Sequence, residues 1–227
     1  MAMQLVIGNK NYSSWSMRPW VLMRQLGIPF EEVKLRFDFA EQSPFRQALA
    51  RFSPAGKVPV LVDEGFAVWD TMAITETLHE RFPGHGVWPA TAQPRARARS
   101  ICAEMHAGFG ALRNHCPMNI EAALPEVGTR LWRAEEALRR DLARLVAMWT
   151  DALDGSGGPF LFGDFSAADA AYAPVCTRIR TYALPMPAGL LGYLDRVLAA
   201  PGVAAWIADA RAEADFLAFE EPYRQGR

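Results

Sequence analysis

The chain has 227 residues, 24 Lys and Arg against 25 Asp and Glu, a formal net charge of −1, and 51% hydrophobic against 22% charged residues. That is the composition of an ordinary globular protein, long enough for one large domain or two smaller ones with real cores. A near-neutral balance with no basic block argues against nucleic-acid binding by phosphate neutralisation, and no apolar run nears the ~20 residues that span a bilayer.

Met1–Ile7 lacks the basic region, long apolar region and small-residue cleavage site of a signal peptide. Cys102, Cys116 and Cys176 are too scattered for a disulfide framework, so the expected compartment is a reducing cytoplasm. Leu5-Val6-Ile7 reads as a first strand. Pro19, Leu22, Met23 and Leu26 then follow helical spacing up to Gly27, which is a natural stop. Phe30–Leu35 suits a second strand and Ser43–Arg51 a short helix before the Pro54-Ala55-Gly56 turn. Val58–Val62 and Phe66–Trp69, separated by Asp63-Glu64-Gly65, read as a hairpin, and Met72–Phe82 as a third helix ended by Pro83-Gly84. The order β-α-β-α-β-β-α is that of a thioredoxin-like α/β domain over residues 1–84. A linker rich in Gly and Pro follows over 85–94, and an all-helical domain over 95–227. Its expected helices are Ala96–Ile120, Glu126–Leu153, Ala167–Tyr182, Ala188–Leu198 and Val203–Ala214. Leu131, Leu138, Leu142, Leu145 and Trp149 form an apolar stripe on the second of these.

Three places invite chemistry. Proline is tolerated in the first helical turn, so Pro19 places the helix start near Ser16–Arg18, just after Ser13 and Ser14. Either one serine is an N-cap, or the pair faces a ligand beside free N–H groups and the positive end of the helix dipole. Pro59 at the head of an apolar strand cannot donate to a ladder. A cis peptide there would turn the Val58 backbone toward a ligand. Asp70 and Thr71 bring a carboxylate and a hydroxyl to a helix N-terminus, as caps or as ligand contacts.

Together, the serine pair, the Lys57-Val58-Pro59-Val60-Leu61 strand and Asp70-Thr71-Met72-Ala73-Ile74 resemble the glutathione transferase superfamily. Phe165-Ser166-Ala167-Ala168-Asp169 is similar to the N-capping box of that superfamily's helical domain. Ser13-Ser14-Trp15-Ser16-Met17-Arg18 is similar to the zeta-class signature, with Trp15 where that class has cysteine. Without a cysteine before the first helix, a thiol-exchange mode lacks its thiolate. The resemblance implies a serine-type transferase with glutathione as co-substrate. Ser13 is the first candidate for activating the thiol and Ser14 the second. Lys57 would meet the glycyl carboxylate, Val58 beside Pro59 would pair its backbone with the cysteinyl part, and Asp70 and Thr71 would hold the γ-glutamyl end. Tyr12, Trp15, His106, Phe109, Arg113 and Met118 would line the cleft for a small hydrophobic electrophile. A detoxifying role and a homodimer built on the long helices are also implied.

Two other readings stand beside this one: a glutathione-dependent cis–trans isomerase of the zeta type, and a non-catalytic protein that borrows the fold. Cys102 with His106, and His115 with Cys116, match no zinc spacing, so no metal is expected.

Overall fold

The computed structural model describes residues 3–227; Met1 and Ala2 of the N-terminal run lie outside them. The first half runs β1 (Gln4–Ile7), α1 (Ser14–Gln25), β2 (Glu31–Lys34), α2 (Pro44–Leu49), β3 (Val60–Asp63), β4 (Phe66–Trp69) and α3 (Thr71–Arg81). The sheet order is β2-β1-β3-β4, with β1 parallel to β2 and antiparallel to β3, and β3 antiparallel to β4. Alternation along β1 divides the core. Leu5 and Ile7 face α1 and α3 with Met17, Ile74 and Leu78, whereas Val6 joins Val60, Phe45 and Leu49 under α2.

The second half is helical: α4 (Ala92–Ala107), α5 (Gly110–His115), α6 (Pro125–Ala134), α7 (Glu136–Ser156), α8 (Ala167–Tyr182), α9 (Ala188–Ala199) and α10 (Pro201–Glu213). The expected α/β plus all-α fold is therefore present. The halves meet at α1, which packs on α8 and α10. Gly202 permits the closest approach, since a Cβ there would lie 2.7 Å from the Val21 carbonyl oxygen. No single helix among the described residues is long and apolar enough to cross a membrane.

Four boundaries differ from the sequence expectation. Helix α1 begins at Ser14 rather than near Ser16–Arg18, because Ser13 is its N-cap and accepts the Ser16 N–H. Pro19 thus lies inside the helix, where it removes the bond to the Trp15 carbonyl. Helix α4 starts at Ala92, within the stretch read as linker.

The single helix expected over Ala96–Ile120 is broken at Gly108-Phe109, with Phe109 left-handed (φ 56°). Side chains from elsewhere satisfy the broken ends: Arg113 Nη1 donates to the His106 carbonyl (3.1 Å), and Asp141 accepts the Leu112 N–H (2.9 Å). The helix expected over Glu126–Leu153 breaks at Glu135, where Arg139 donates to the Trp132 and Arg133 carbonyls.

Candidate active site

The loop before α1 is pinned from several sides. Lys10 is buried, with Nζ 2.7 Å from Glu32 and its ammonium over the Trp20 ring, and its backbone N–H is held by Glu213. Asn9 donates to Asp215 (3.0 Å) and accepts the Phe37 N–H (2.7 Å). The Tyr12 hydroxyl donates to Glu221 (2.7 Å), and burial with that carboxylate pushes its pKa up to about 12. Tyr12 therefore offers its ring to the site and keeps its hydroxyl on the C-terminal tail.

The two serines at the end of this loop are not equivalent. The Ser13 hydroxyl is spent on the helix: it lies 2.7 Å from Ser16 Oγ as donor and caps the Ser16 N–H. Ser14 Oγ has one side-chain partner among the described residues, accepting from Arg178 Nη2 at 3.3 Å. Both side chains open onto a cleft of about 400 Å³, a size that suits a small ligand. Across it lie Lys57 and Val58, and its walls include Tyr12, Trp15, Arg113 and Met118. The Val58–Pro59 peptide is cis, as expected. The β1–β3 register ends at Val60, so the Val58 backbone lies beyond the ladder.

Asp70, Thr71, His106 and Phe109 are not in that cleft. Phe109 is buried in the main core, a correction to its expected place on the electrophile wall; the helix break turns it inward. Asp70 is held at φ 76°, a conformation that costs on the order of 1–3 kcal/mol for a non-glycine residue. Its Oδ1 caps the Met72 N–H (2.8 Å) while Oδ2 lies 3.3 Å from His106 Nε2. The strained backbone aims a partly exposed carboxylate out from the start of α3.

His106 and Trp15 meet edge to face at 5.0 Å, and Trp15 also lines the cleft. Beside it is a partly open pocket of about 20 Å³, lined by Arg18, Thr71 and His106. Arg18 lies with its guanidinium 4.0 Å from the Trp15 ring centre. Its Nε donates to the Ala171 carbonyl (3.1 Å), while Nη1 and Nη2 have no partner among the described residues. Burial, then the charges of Arg178 and Arg113, lower its pKa to about 9.

The sequence reading missed Arg178, Arg46, Phe37, Phe39 and Glu220, all of which line the cleft. Arg178 carries a signal in retrospect: it is a charged residue in a helix buried on nearly every side. Burial lowers its pKa to about 10. No cluster of three or more His, Cys, Asp or Glu is placed to hold a metal ion among the described residues.

Residues 12–81 match the family model for the glutathione S-transferase N-terminal domain, and residues 95–209 match that for the C-terminal domain. Over 68 residues the chain is 40% identical to a dichloromethane dehalogenase of Methylorubrum extorquens, covering 29% of this chain and 23% of that protein. Over 154 residues it is 26% identical to a zeta class glutathione S-transferase of Euphorbia esula, covering 67% of this chain and 65% of that one. The matched stretches thus span from about a quarter to just under two thirds of these relatives. Among solved structures, a glutathione transferase homologue from Burkholderia GL BGR1 with bound glutathione superposes with a TM-score of 0.70 at 24% identity, over 92% of this chain and 98% of that one. With both domain models matched in order along one chain, this protein belongs to the glutathione S-transferase family.

Proposed function

We propose that the protein is a glutathione transferase in which the thiolate of bound glutathione attacks a small, largely apolar electrophile. The observation that carries this reading is the hydroxyl of Ser14, at the N-terminus of α1, facing the unladdered backbone of Val58 across one cleft. A thiol with a pKa of about 8.5 is mostly protonated at neutral pH. A hydroxyl donor, the helix N-terminus and nearby cations all stabilise its ionised form.

Ser14 is the favoured donor, because the Ser13 hydroxyl is already committed to Ser16. The first half of the chain would hold glutathione, with Val58 pairing like an added strand, Lys57 at the glycyl carboxylate, and Asp70 and Thr71 at the γ-glutamyl end. The helical half would shape the electrophile wall with Arg113 and Met118, completed by Trp15 of α1.

Two further expectations belong to this reading. A homodimer built on the long helices belongs to it, and exposed Phe66 and Trp69, on opposite faces of β4 at the open edge of the sheet, are left outside the core. Three buried, unpaired cysteines suit a reducing compartment.

The test is calorimetric binding of glutathione, with ultraviolet titration of the bound thiol and turnover of a chlorinated nitroarene. Binding with a thiol pKa near or below neutrality, and conjugate formation, are expected. A folded protein that does not bind glutathione overturns the reading and leaves the non-catalytic one.

A further inference from the structure

The charges around the cleft do not balance. Among the described residues Arg46, Lys57, Arg113 and Arg178 line it, against the single carboxylate of Glu220, which makes no ion pair with any of the four. Two of the cations have other uses. Arg46 donates to the Phe39 and Ala40 carbonyls, and Lys57 stands exposed at the rim, where the proposed reading gives it the glycyl carboxylate.

Arg113 and Arg178 remain, and both come from the helical half. Arg178 is buried and donates to the Cys116 and Pro174 carbonyls and to Ser14 Oγ, all neutral acceptors. Arg113 is half-buried and donates to the His106 carbonyl, with its guanidinium 5.4 Å from the Trp15 ring centre. Neither meets a carboxylate among the described residues. Each guanidinium has five N–H groups, so donors are left over on both. Their charges also act on each other, since Arg113 helps to depress the pKa of Arg178.

A buried cation without an anionic partner is costly, and a site that keeps one, with a second half-buried beside it, is built for incoming negative charge. A glutathione thiolate supplies one such charge. Arg178, bonded to Ser14, stands beside that charge, which leaves Arg113 unmatched, next to the Trp15 ring in a cleft that Met118 also lines.

We infer that the electrophile taken by this cleft carries a carboxylate, held by Arg113, on a flat apolar body that packs against Trp15 and Met118. This rests on the transferase reading and adds the substrate class to it. For a carboxylated chloronitroarene, the thiolate sulfur forms a bond to the ring carbon bearing chlorine. The carbon–chlorine bond then breaks, chloride leaves with the bonding pair, and the carboxylate is unchanged throughout. Its role is to orient the ring, since a bidentate guanidinium contact fixes direction as well as position.

The test uses two S-aryl glutathione conjugates that differ in one group, S-(4-carboxy-2-nitrophenyl)glutathione and its carboxamide, bound to the full chain and measured by calorimetry. The carboxylate should bind at least tenfold more tightly, and Arg113→Met should shrink that ratio toward one, with Arg113→Lys in between. The same order is expected in kcat/KM for 4-chloro-3-nitrobenzoate against 4-chloro-3-nitrobenzamide, each divided by its spontaneous rate with glutathione. Equal binding of the two conjugates, or preference for the amide, overturns the inference and leaves the transferase reading intact. Failure of both conjugates to bind overturns the transferase reading itself, and the inference with it. The wild-type ratio decides the matter even where an Arg113 variant folds poorly.

Discussion

Arg178 of α8 donates from Nη2 to Ser14 Oγ at the start of α1, over 3.3 Å and from one half of the molecule to the other. The guanidinium takes a lone pair of the hydroxyl and leaves its proton free to donate toward the cleft. It also brings a buried positive charge within one side chain of the place where a thiolate would form. Arg178 is a positioning residue here, acting through Ser14. Replacing Arg178 with Met should raise the pKa of bound glutathione by about one unit and lower kcat/KM about tenfold, with Lys restoring part of both. Titration of the thiolate absorbance reads this directly; a pKa that does not move while glutathione still binds removes Arg178 from thiol activation.

The serines separate by what each substitution costs. Ser13→Ala removes an N-cap and should destabilise the fold by about 1 kcal/mol in denaturant titration, with a small effect on turnover. Ser14→Ala should leave stability nearly unchanged and cost ten- to a hundred-fold in kcat/KM, the worth of a hydrogen bond to a charged group at about 1.5–3 kcal/mol. The reverse pattern would return the role to Ser13.

Asp70 has a capping oxygen and a second one facing His106, so two substitutions tell its roles apart. Asp70→Asn keeps an acceptor for the Met72 N–H but no charge for the γ-glutamyl ammonium. It should weaken glutathione binding about tenfold at nearly constant stability. Asp70→Ala should lose both, with about 1 kcal/mol of stability gone. Should Asp70→Asn bind glutathione normally, Asp70 is a cap only.

Asp169 anchors the helical half. Fully buried, it accepts the Leu161 and Ser166 N–H groups (3.1 and 3.0 Å) and the Tyr193 hydroxyl (3.1 Å). Burial pushes its pKa up to about 6 in spite of these donors. A carboxyl raised in the folded state contributes stability that is fully present below its unfolded pKa. That contribution is lost as pH rises through the folded value, on the order of 3 kcal/mol here. Stability of the wild type relative to Asp169→Asn should therefore fall between pH about 4 and 7 and be flat above. Denaturant titrations at several pH values check the slope. A constant difference would mean that the hydrogen bonds hold the pKa near its ordinary value. Asp169→Ala, which also strands these donors, should cost on the order of 3–5 kcal/mol near pH 4, with the difference from wild type falling along the same slope.

Much of this molecule is written in local signals. Alternating Leu5, Val6 and Ile7, the hairpin around Asp63-Glu64-Gly65 and the capping box at Ser166 and Asp169 depend on neighbours a few residues away. Their strands and helices lie within one or two residues of where pattern alone puts them. The Ser13–Ser14 pair and Pro59 were likewise visible, since turn and cap chemistry is short-range. What the sequence could not set was anything satisfied from a distance. The helix ends at His106 and at Trp132 are stable because Arg113 and Arg139 fold back onto their carbonyls, so two expected long helices became four. The choice between the serines depended on Arg178, 164 positions further along the chain. Phe109 turned into the core at a break that its glycine neighbours only permit. Arg178 and Arg113 came into one cleft only when α8 packed on α1 and the start of α5 brought Arg113 to the Trp15 ring. Hydrogen bonding within a turn is decided by adjacent residues, whereas the partner of a buried charge is decided by whichever element the tertiary fold brings to it.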